Sequence, residues 1–357
     1  MLRILLLSLL SGLLAGQQPE PVQAPPTTIR TTVDVVVAPV LVFDRDGQYV
    51  SGLQPEQFHL FDNGKEQNIQ VDVSYIPISL VILLQANQHV EALMPQIRRI
   101  GNMVEPLIIG EQGEAAVIAY DSRITVLQPF TKDTEKITEV VKKLNTYGGS
   151  TSNRMVDAVN EGTRMLRTRP PDRRRIMLLI GETRDMGSET RLREALLDLQ
   201  FANVLFYSVD MPRLVTTLSA PPPVGRPDTL PPAMHPLPGG VASTPTTVHQ
   251  TYGTNGGRAE FIPMMVEIFR DAKAIFKDNP VEAFTKGTGG SEFGFYRQRG
   301  LQDAIQKVGA ELHSQYLVSY TPNNKDEGGF HEITVTVSGA PEVRRTQTRP
   351  GYWLSTK

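Results

Sequence analysis

ISLVILL at residues 78–84 is an apolar run of strand length broken only by Ser79, and the same kind of run returns as IMLLI at 176–180. Runs without polar alternation are what strands covered on both faces of a parallel sheet show. Between and after them the pattern keeps switching. Val90, Leu93, Met94, Ile97, Ile100, Met103, Val104 and Leu107 recur at three-to-four spacing and predict a helix over 90–109; AAVIAYD (115–121) is the next strand, with ITVLQPFT (124–131) able to pair with it as a hairpin. Helices are expected at 132–144, 153–167 and 189–201, with NVLFYSVD (203–210) as a further strand. Strands alternating with helices in this order imply an α/β sheet clothed by helices on both faces.

Outward from this block the chain changes character. On the amino-terminal side, TTVDVVVAPVLVFDRDGQYVSGL (31–53) carries strand-length β-branched stretches around an Asp46-Gly47 turn, and Asn63-Gly64 predicts a second hairpin between FHLF and Ile69, Val71 and Val73. Asp44-Arg45-Asp46-Gly47 is too short for an EF-hand and reads as turn chemistry. On the carboxyl-terminal side, KGTGGSEFGF (286–295) reads as a turn entering an edge strand, and LQDAIQKVGAELH (301–313) as a helix. QYLVSYTP (315–322), FHEITVTVSG (330–339) and EVRRTQTRPGYW (342–353) then alternate as antiparallel strands expected to join those at the amino end. Met211 to Gln250 hold ten prolines, so 211–259 reads as a disordered insertion, with a helix resuming near 260–277.

Composition excludes several classes of function. The 357 residues are 40% apolar, and 36 Lys plus Arg nearly balance 38 Asp plus Glu, so no basic footprint for nucleic acid exists. With no cysteine, disulfides, thiolate metal sites and Cys nucleophiles are excluded. MLRILLLSLLSGLLAG (1–16) has one early charge, Arg3, and a short apolar run ending in small residues, which reads as an export signal, either cleaved or retained as an anchor. Gln17 follows where a lipoprotein would need cysteine, and 17–31 with four prolines reads as a flexible linker. The expected location is therefore periplasmic or extracellular, with no transmembrane domain in the mature chain.

The ordered segments LVILLQANQHV, GGSTSNRMVDAVNEG, RRRIMLLIGETRDMGSETRL, NVLFYSVD, TKGTGGSEFGF and LQDAIQKVGAELHSQYLVSYTP together resemble the von Willebrand factor type A (VWA) domain. With the flanking strands and closing TRPGYW they look like the VWFA-related group often met in Acidobacteria, over about residues 32–354. The resemblance implies a Rossmann-like, doubly wound sheet over 76–320, with 32–75 and 321–354 forming a small antiparallel β-subdomain. It also implies a divalent-cation adhesion site at the strand ends, built on D-x-S-x-S, a middle-loop Thr and a later Asp. Here the D-x-S-x-S positions read Gln85, Ala86, Asn87, Gln88 and His89; the middle loop keeps Ser150 and Thr151; and Glu182 stands where the later Asp-Gly would be. One carboxylate is a poor set for a hard cation. The implied site is degenerate, and the binding surface expected is Gln85, Asn87, His89, Ser150, Thr151 and Glu182, with no cofactor. Mg²⁺ or Ca²⁺ at a non-standard site is the alternative.

No nucleophile elbow or P-loop occurs, and His89 lacks a metal-spaced partner, so no enzyme is expected; a hydrolase using His89 and Glu182 is the third reading. Arg164, Arg167, Arg169, Arg173, Arg174 and Arg175 form a basic cluster that could receive an acidic partner or be a solvated loop. The reading that results is an exported, non-enzymatic interaction or adhesion module for an unknown protein ligand.

Overall fold

A computed structural model describes residues 35–72, 76–146, 151–211, 279–294 and 300–354. The export signal, the linker, Ser150, the helix expected near 260–277 and all of the Pro-rich insertion except Met211 lie outside the described residues.

The amino-terminal strands are β1 (Val36–Phe43), β2 (Phe58–Asp62), β3 (Lys65–Glu66) and β4 (Ile69–Asp72). After β1 the Asp44 carboxylate accepts from the N–H groups of Asp46 and Gln48, both at 2.8 Å, and Gly47 takes φ +76°. The carboxylate is thus engaged by its own turn, as an Asx-turn requires. Asn63 (φ +49°) and Gly64 (φ +77°) form the two-residue connection between β2 and β3, the paired positive φ of a primed hairpin turn. The strand with Ile69 and Val71 is not the hairpin's second arm, however, because β4 leaves β2 and pairs in the other sheet.

The central sheet contains β5 (Ile78–Gln85), β6 (Glu114–Tyr120), β7 (Ile124–Thr131), β8 (Arg174–Gly181), β9 (Val204–Asp210) and β10 (Glu292–Gly294). Their order is β10-β9-β8-β5-β6-β7, and every pair is parallel except β6 with β7. One helix was expected over 90–109, but the segment breaks into a 3₁₀ turn (Gln88–Leu93), α1 (Met94–Ile97), α2 (Gly101–Val104) and a π turn (Glu105–Ile109). Pro95 and Pro106 have no N–H to donate, so a continuous i to i−4 ladder cannot run through them. Gly110 closes the last turn by donating to the Glu105 carbonyl at 2.9 Å.

The remaining helices among the described residues are α3 (Thr134–Lys142), α4 (Met155–Arg167), α5 (Leu192–Phe201), α6 (Pro280–Thr288) and α7 (Gly300–Ser314). Asp133 caps α3 by accepting from Glu135 and Lys136, and Asn279 caps α6 through Glu282. Leu80, Ile82 and Leu84 of β5 face the broken helix, α3 and α7, whereas Val81 and Leu83 face α4, α5 and α6. Burial on both faces is why the ISLVILL run carries no polar alternation. Each such side chain contributes roughly 1.5–3 kcal/mol relative to exposure. The fold is therefore a doubly wound, Rossmann-like α/β sheet.

β11 (Tyr316–Tyr320), β12 (Gly329–Val337), β13 (Arg345–Gln347) and β14 (Gly351–Leu354) return to the amino-terminal strands. They complete two four-stranded antiparallel sheets, β13-β1-β11-β4 and β14-β12-β2-β3, which enclose a core of Val36, Val40, Phe58, Leu60, Val318, Ile333 and their neighbours. The α/β layer thus ends at α7, and β11 belongs with β1 rather than inside a unit running to 320. Residues 342–353 form two strands instead of one, parting at Thr348–Pro350 so that β13 and β14 join different sheets.

Candidate functional site at the strand ends

From β5 the chain crosses to β6 on one side, while β8 lies on the other, so the strand order reverses between β5 and β8. The crevice outside the carboxyl ends at such a switch point is where an open α/β sheet can accept a ligand. β5 ends there in Gln85, and β8 ends in Gly181 followed by Glu182.

These residues make one hydrogen-bonded network. The Gln85 amide nitrogen donates to Asn87 Oδ1 (3.0 Å) and to Glu182 Oε2 (3.1 Å), and its Oε1 accepts from the Glu182 N–H at 2.6 Å. Asn87 caps the 3₁₀ turn by accepting from the His89 N–H (3.1 Å) and donates Nδ2 to the Ser152 carbonyl (3.1 Å). His89 Nδ1 lies 3.2 Å from Glu182 Oε2. Gln85 and Asn87 are fully buried and Glu182 nearly so, whereas the His89 side chain is about one-third exposed. Thr151 is exposed and stands outside this network; the middle loop contributes the Ser152 backbone carbonyl instead.

Gly181 is a steric requirement of the site. A Cβ there would sit 2.3 Å from the Tyr120 hydroxyl and 2.8 Å from Gln85 Oε1. Tyr120 reaches beneath the crevice from β6, wholly buried, and burial first and then Glu182, Asp185 and Asp210 hold its phenol far above the ordinary range. Asp210 ends β9 beside Gly181; burial, reinforced by Glu292 and Glu182, pushes its carboxyl up to about 7.

Asp185, Asn153 and Asp157 tie the surrounding loops together. Asp185 Oδ1 accepts from the Val156 N–H (3.0 Å) and Ser188 Oγ (2.6 Å), holding the start of α4. Asn153 donates to the Arg184 carbonyl at 2.6 Å, and Asp157 accepts from the Thr190 N–H at 2.9 Å. Sequence reading passed over these residues because they work on backbone groups that only the folded loops bring near. Asp210 did have a signal, as the terminal residue of the buried strand NVLFYSVD.

The donor set does not fit a hard cation. The Gln85 NH₂ already bridges Asn87 Oδ1 and Glu182 Oε2, so a proton donor stands between the two oxygens a cation would need. Among the described residues no group of three or more His, Cys, Asp or Glu is placed to hold a metal.

Arg169, Arg173, Arg174 and Arg175 of the basic cluster are engaged within the fold. Arg173 Nε donates to Ser79 Oγ (2.8 Å) and lies 3.3 Å from Glu114, and Arg174 donates to the Leu312 carbonyl (2.7 Å) and to Gln315. Arg175 reaches the carbonyls of Ala202 and Arg169, each at 2.9 Å. Arg169 lies over the Phe130 ring at 4.8 Å, while Arg164 pairs with Glu161 and Arg167 with Asp198. Arg173, Arg174 and Arg175 thus close loop ends at the amino side of the sheet, whereas Arg164 and Arg167, 74% and 58% exposed, make surface pairs on α4.

No family model matches the chain, and no curated protein matches it. Among solved structures it is similar to BatB from Bacteroides thetaiotaomicron, a conserved hypothetical protein, at 16% identity over 38% of this chain and 68% of that one, with a TM-score of 0.30. The VWA domain of SpRpn10 shares 13% identity over 42% of this chain and 84% of its own, with a TM-score of 0.31. An aerotolerance-related membrane protein from Bacteroides fragilis shares 14% over 65% and 98%, with a TM-score of 0.37. At these scores the fold stands on the strand order described above.

Proposed function

We propose that this chain is an exported, non-enzymatic protein-interaction module of VWA type, binding its partner without a metal through the crest of the sheet. The observation that carries this reading is the Gln85 amide, which links Asn87 and Glu182 and so does the bridging a cation would otherwise do. The motif order resembling the VWFA-related group and the export-signal pattern of residues 1–16 support it. Of the residues expected at the degenerate adhesion site, His89 and Thr151 reach the surface of the described structure, Gln85, Asn87 and Glu182 are buried and would support them from beneath, and Ser150 lies outside the described residues. No helix among the described residues is long and apolar enough to cross a membrane.

The test is capture from the cognate cell envelope in EDTA, followed by titration of the identified partner. Alanine at His89, Thr151 and Glu182 together is expected to weaken the partner at least tenfold while the fold is retained. Unchanged affinity in that triple variant would place the binding surface elsewhere.

A further inference from the structure

Asp210 ends β9 between two strands that give it no neighbouring side chain. Its register partners are Gly181 on β8 and Gly294 on β10. By strand alternation it shares the face of α4, α5 and α6 with Gln85 and Tyr120, which lie opposite each other on β5 and β6. The row across the sheet therefore runs Tyr120, Gln85, Gly181, Asp210, with a notch where Gly181 has no side chain. The Tyr120 phenol leans into this notch, close enough to meet a Cβ at Gly181, and its hydroxyl is wholly buried without a hydrogen-bond partner. Ser208 Oγ, two residues before Asp210 on the same face, is likewise buried and unpartnered.

The charged groups that act on this corner are of one sign. Glu182 follows Gly181, Asp185 lies on the same loop, and Glu292 stands opposite Ser208 on β10. The cations of neighbouring elements are engaged by other acids: Lys286 of α6 by Glu282, Arg154 before α4 by Asp157 and Glu189, and His89 lies against Glu182. α5 turns Ala195, Leu196 and Leu199 toward the sheet. Burial, Glu292 and Glu182 all favour the protonated form of Asp210. Glu182 is also the carboxylate that holds the Gln85 amide and faces His89.

We propose that Asp210 is a proton switch for the crest: the protonated carboxyl group sits neutral beside the Gly181 notch, and loss of its proton to water sets a second negative charge near Glu182 and loosens the Glu182–Gln85 link. The ionised carboxylate can also draw the Tyr120 hydroxyl, which has no other acceptor, so the change reaches β6. That partner binding then follows pH rests on the reading of the crest as the binding surface; the switch itself does not.

The test uses the full chain without a partner, so it can fail while the binding reading stands, and a failed partner capture leaves it untouched. With carboxyl-¹³C-labelled aspartate, one signal that is missing from Asp210→Asn is expected to titrate with a midpoint of about 7. The Gln85 side-chain amide and Tyr120 ring signals should move with the same midpoint, and Glu292→Gln, on the surface, should shift it to lower pH. Between about pH 4 and about pH 7 the folded chain then binds one proton more than the unfolded chain, so Tm should fall as pH rises through this range, less so in Asp210→Asn. An Asp210 midpoint of about 4, the ordinary value, would overturn the proposal. So would crest signals that stay still while Asp210 titrates, or crest shifts that persist in Asp210→Asn and vanish in His89→Gln.

Discussion

Asp62→Ala is expected to lower the unfolding free energy by about 3–5 kcal/mol, the cost of removing one member of a buried charged network. Asp62 is wholly buried at the end of β2. Its Oδ2 accepts from Tyr352 (2.7 Å) and Tyr320 (2.9 Å), and its Oδ1 from His331 Nδ1 (2.7 Å) and Asn324 Nδ2 (3.1 Å). Those partners come from β14, β11, β12 and the β11–β12 connection, so one carboxylate links both sheets of the sandwich. The buried Arg349 guanidinium lies over the Tyr352 ring at 5.5 Å and donates to the Val37 carbonyl. Without the carboxylate this cation loses its nearby counter-charge and four donors lose their acceptor, each unmet group costing about 1–3 kcal/mol before relaxation. Urea unfolding should show a lower midpoint at unchanged slope; a loss below about 1 kcal/mol would contradict the assignment.

The same carboxylate sets a pH dependence. Burial alone would raise its pKa, but hydrogen bonds from His331, Tyr352, Asn324 and Tyr320 outweigh burial and hold it below the ordinary value. A group depressed in the folded state stabilises fully above its unfolded pKa of about 4, and that contribution is lost as pH falls through the folded value. The wild-type chain should therefore lose stability below about pH 4 more steeply than Asp62→Asn.

Gly309→Ala should destabilise, although it lies inside α7, where alanine ordinarily gains about 1 kcal/mol over glycine. A Cβ at this position would stand 2.0 Å from the Leu107 carbonyl oxygen and 3.0 Å from its carbon, both backbone atoms of the π turn. No rotamer change relieves a backbone clash. α7 would have to lift, disturbing Ile305, Val308 and Leu312 in the core beneath β5. A net loss of about 1–3 kcal/mol is expected from overpacking, read as a fall in Tm. A rise in Tm would show that α7 does not approach the π turn this closely.

These two positions also show what the sequence could not express. The apolar runs at 78–84 and 176–180 announced parallel strands because burial on both faces leaves its mark residue by residue. Asn63-Gly64 announced a turn because positive φ restricts the residue types. Asp62 and its partners are scattered from 62 to 352, and no local pattern relates them. The helix expected over 90–109 followed apolar spacing that is real, yet Pro95 and Pro106 govern the hydrogen bonds. At the crest, Gln85, Asn87, His89 and Glu182 were legible through their place in a motif order. Tyr120 and Gly181 were not, since their role is a close approach beneath the network.

The central claim is that the crest is held together by its own amide network, independently of metal. The most direct measurement is thermal unfolding of residues 17–357 in EDTA, then with Mg²⁺, Ca²⁺ and Mn²⁺ in turn, each at millimolar concentration. An ion present at a hundred times its dissociation constant would add about 2.7 kcal/mol, a shift of several degrees in Tm. The account predicts the same Tm in all four conditions; a rise with any one cation that Glu182→Gln abolishes would contradict it.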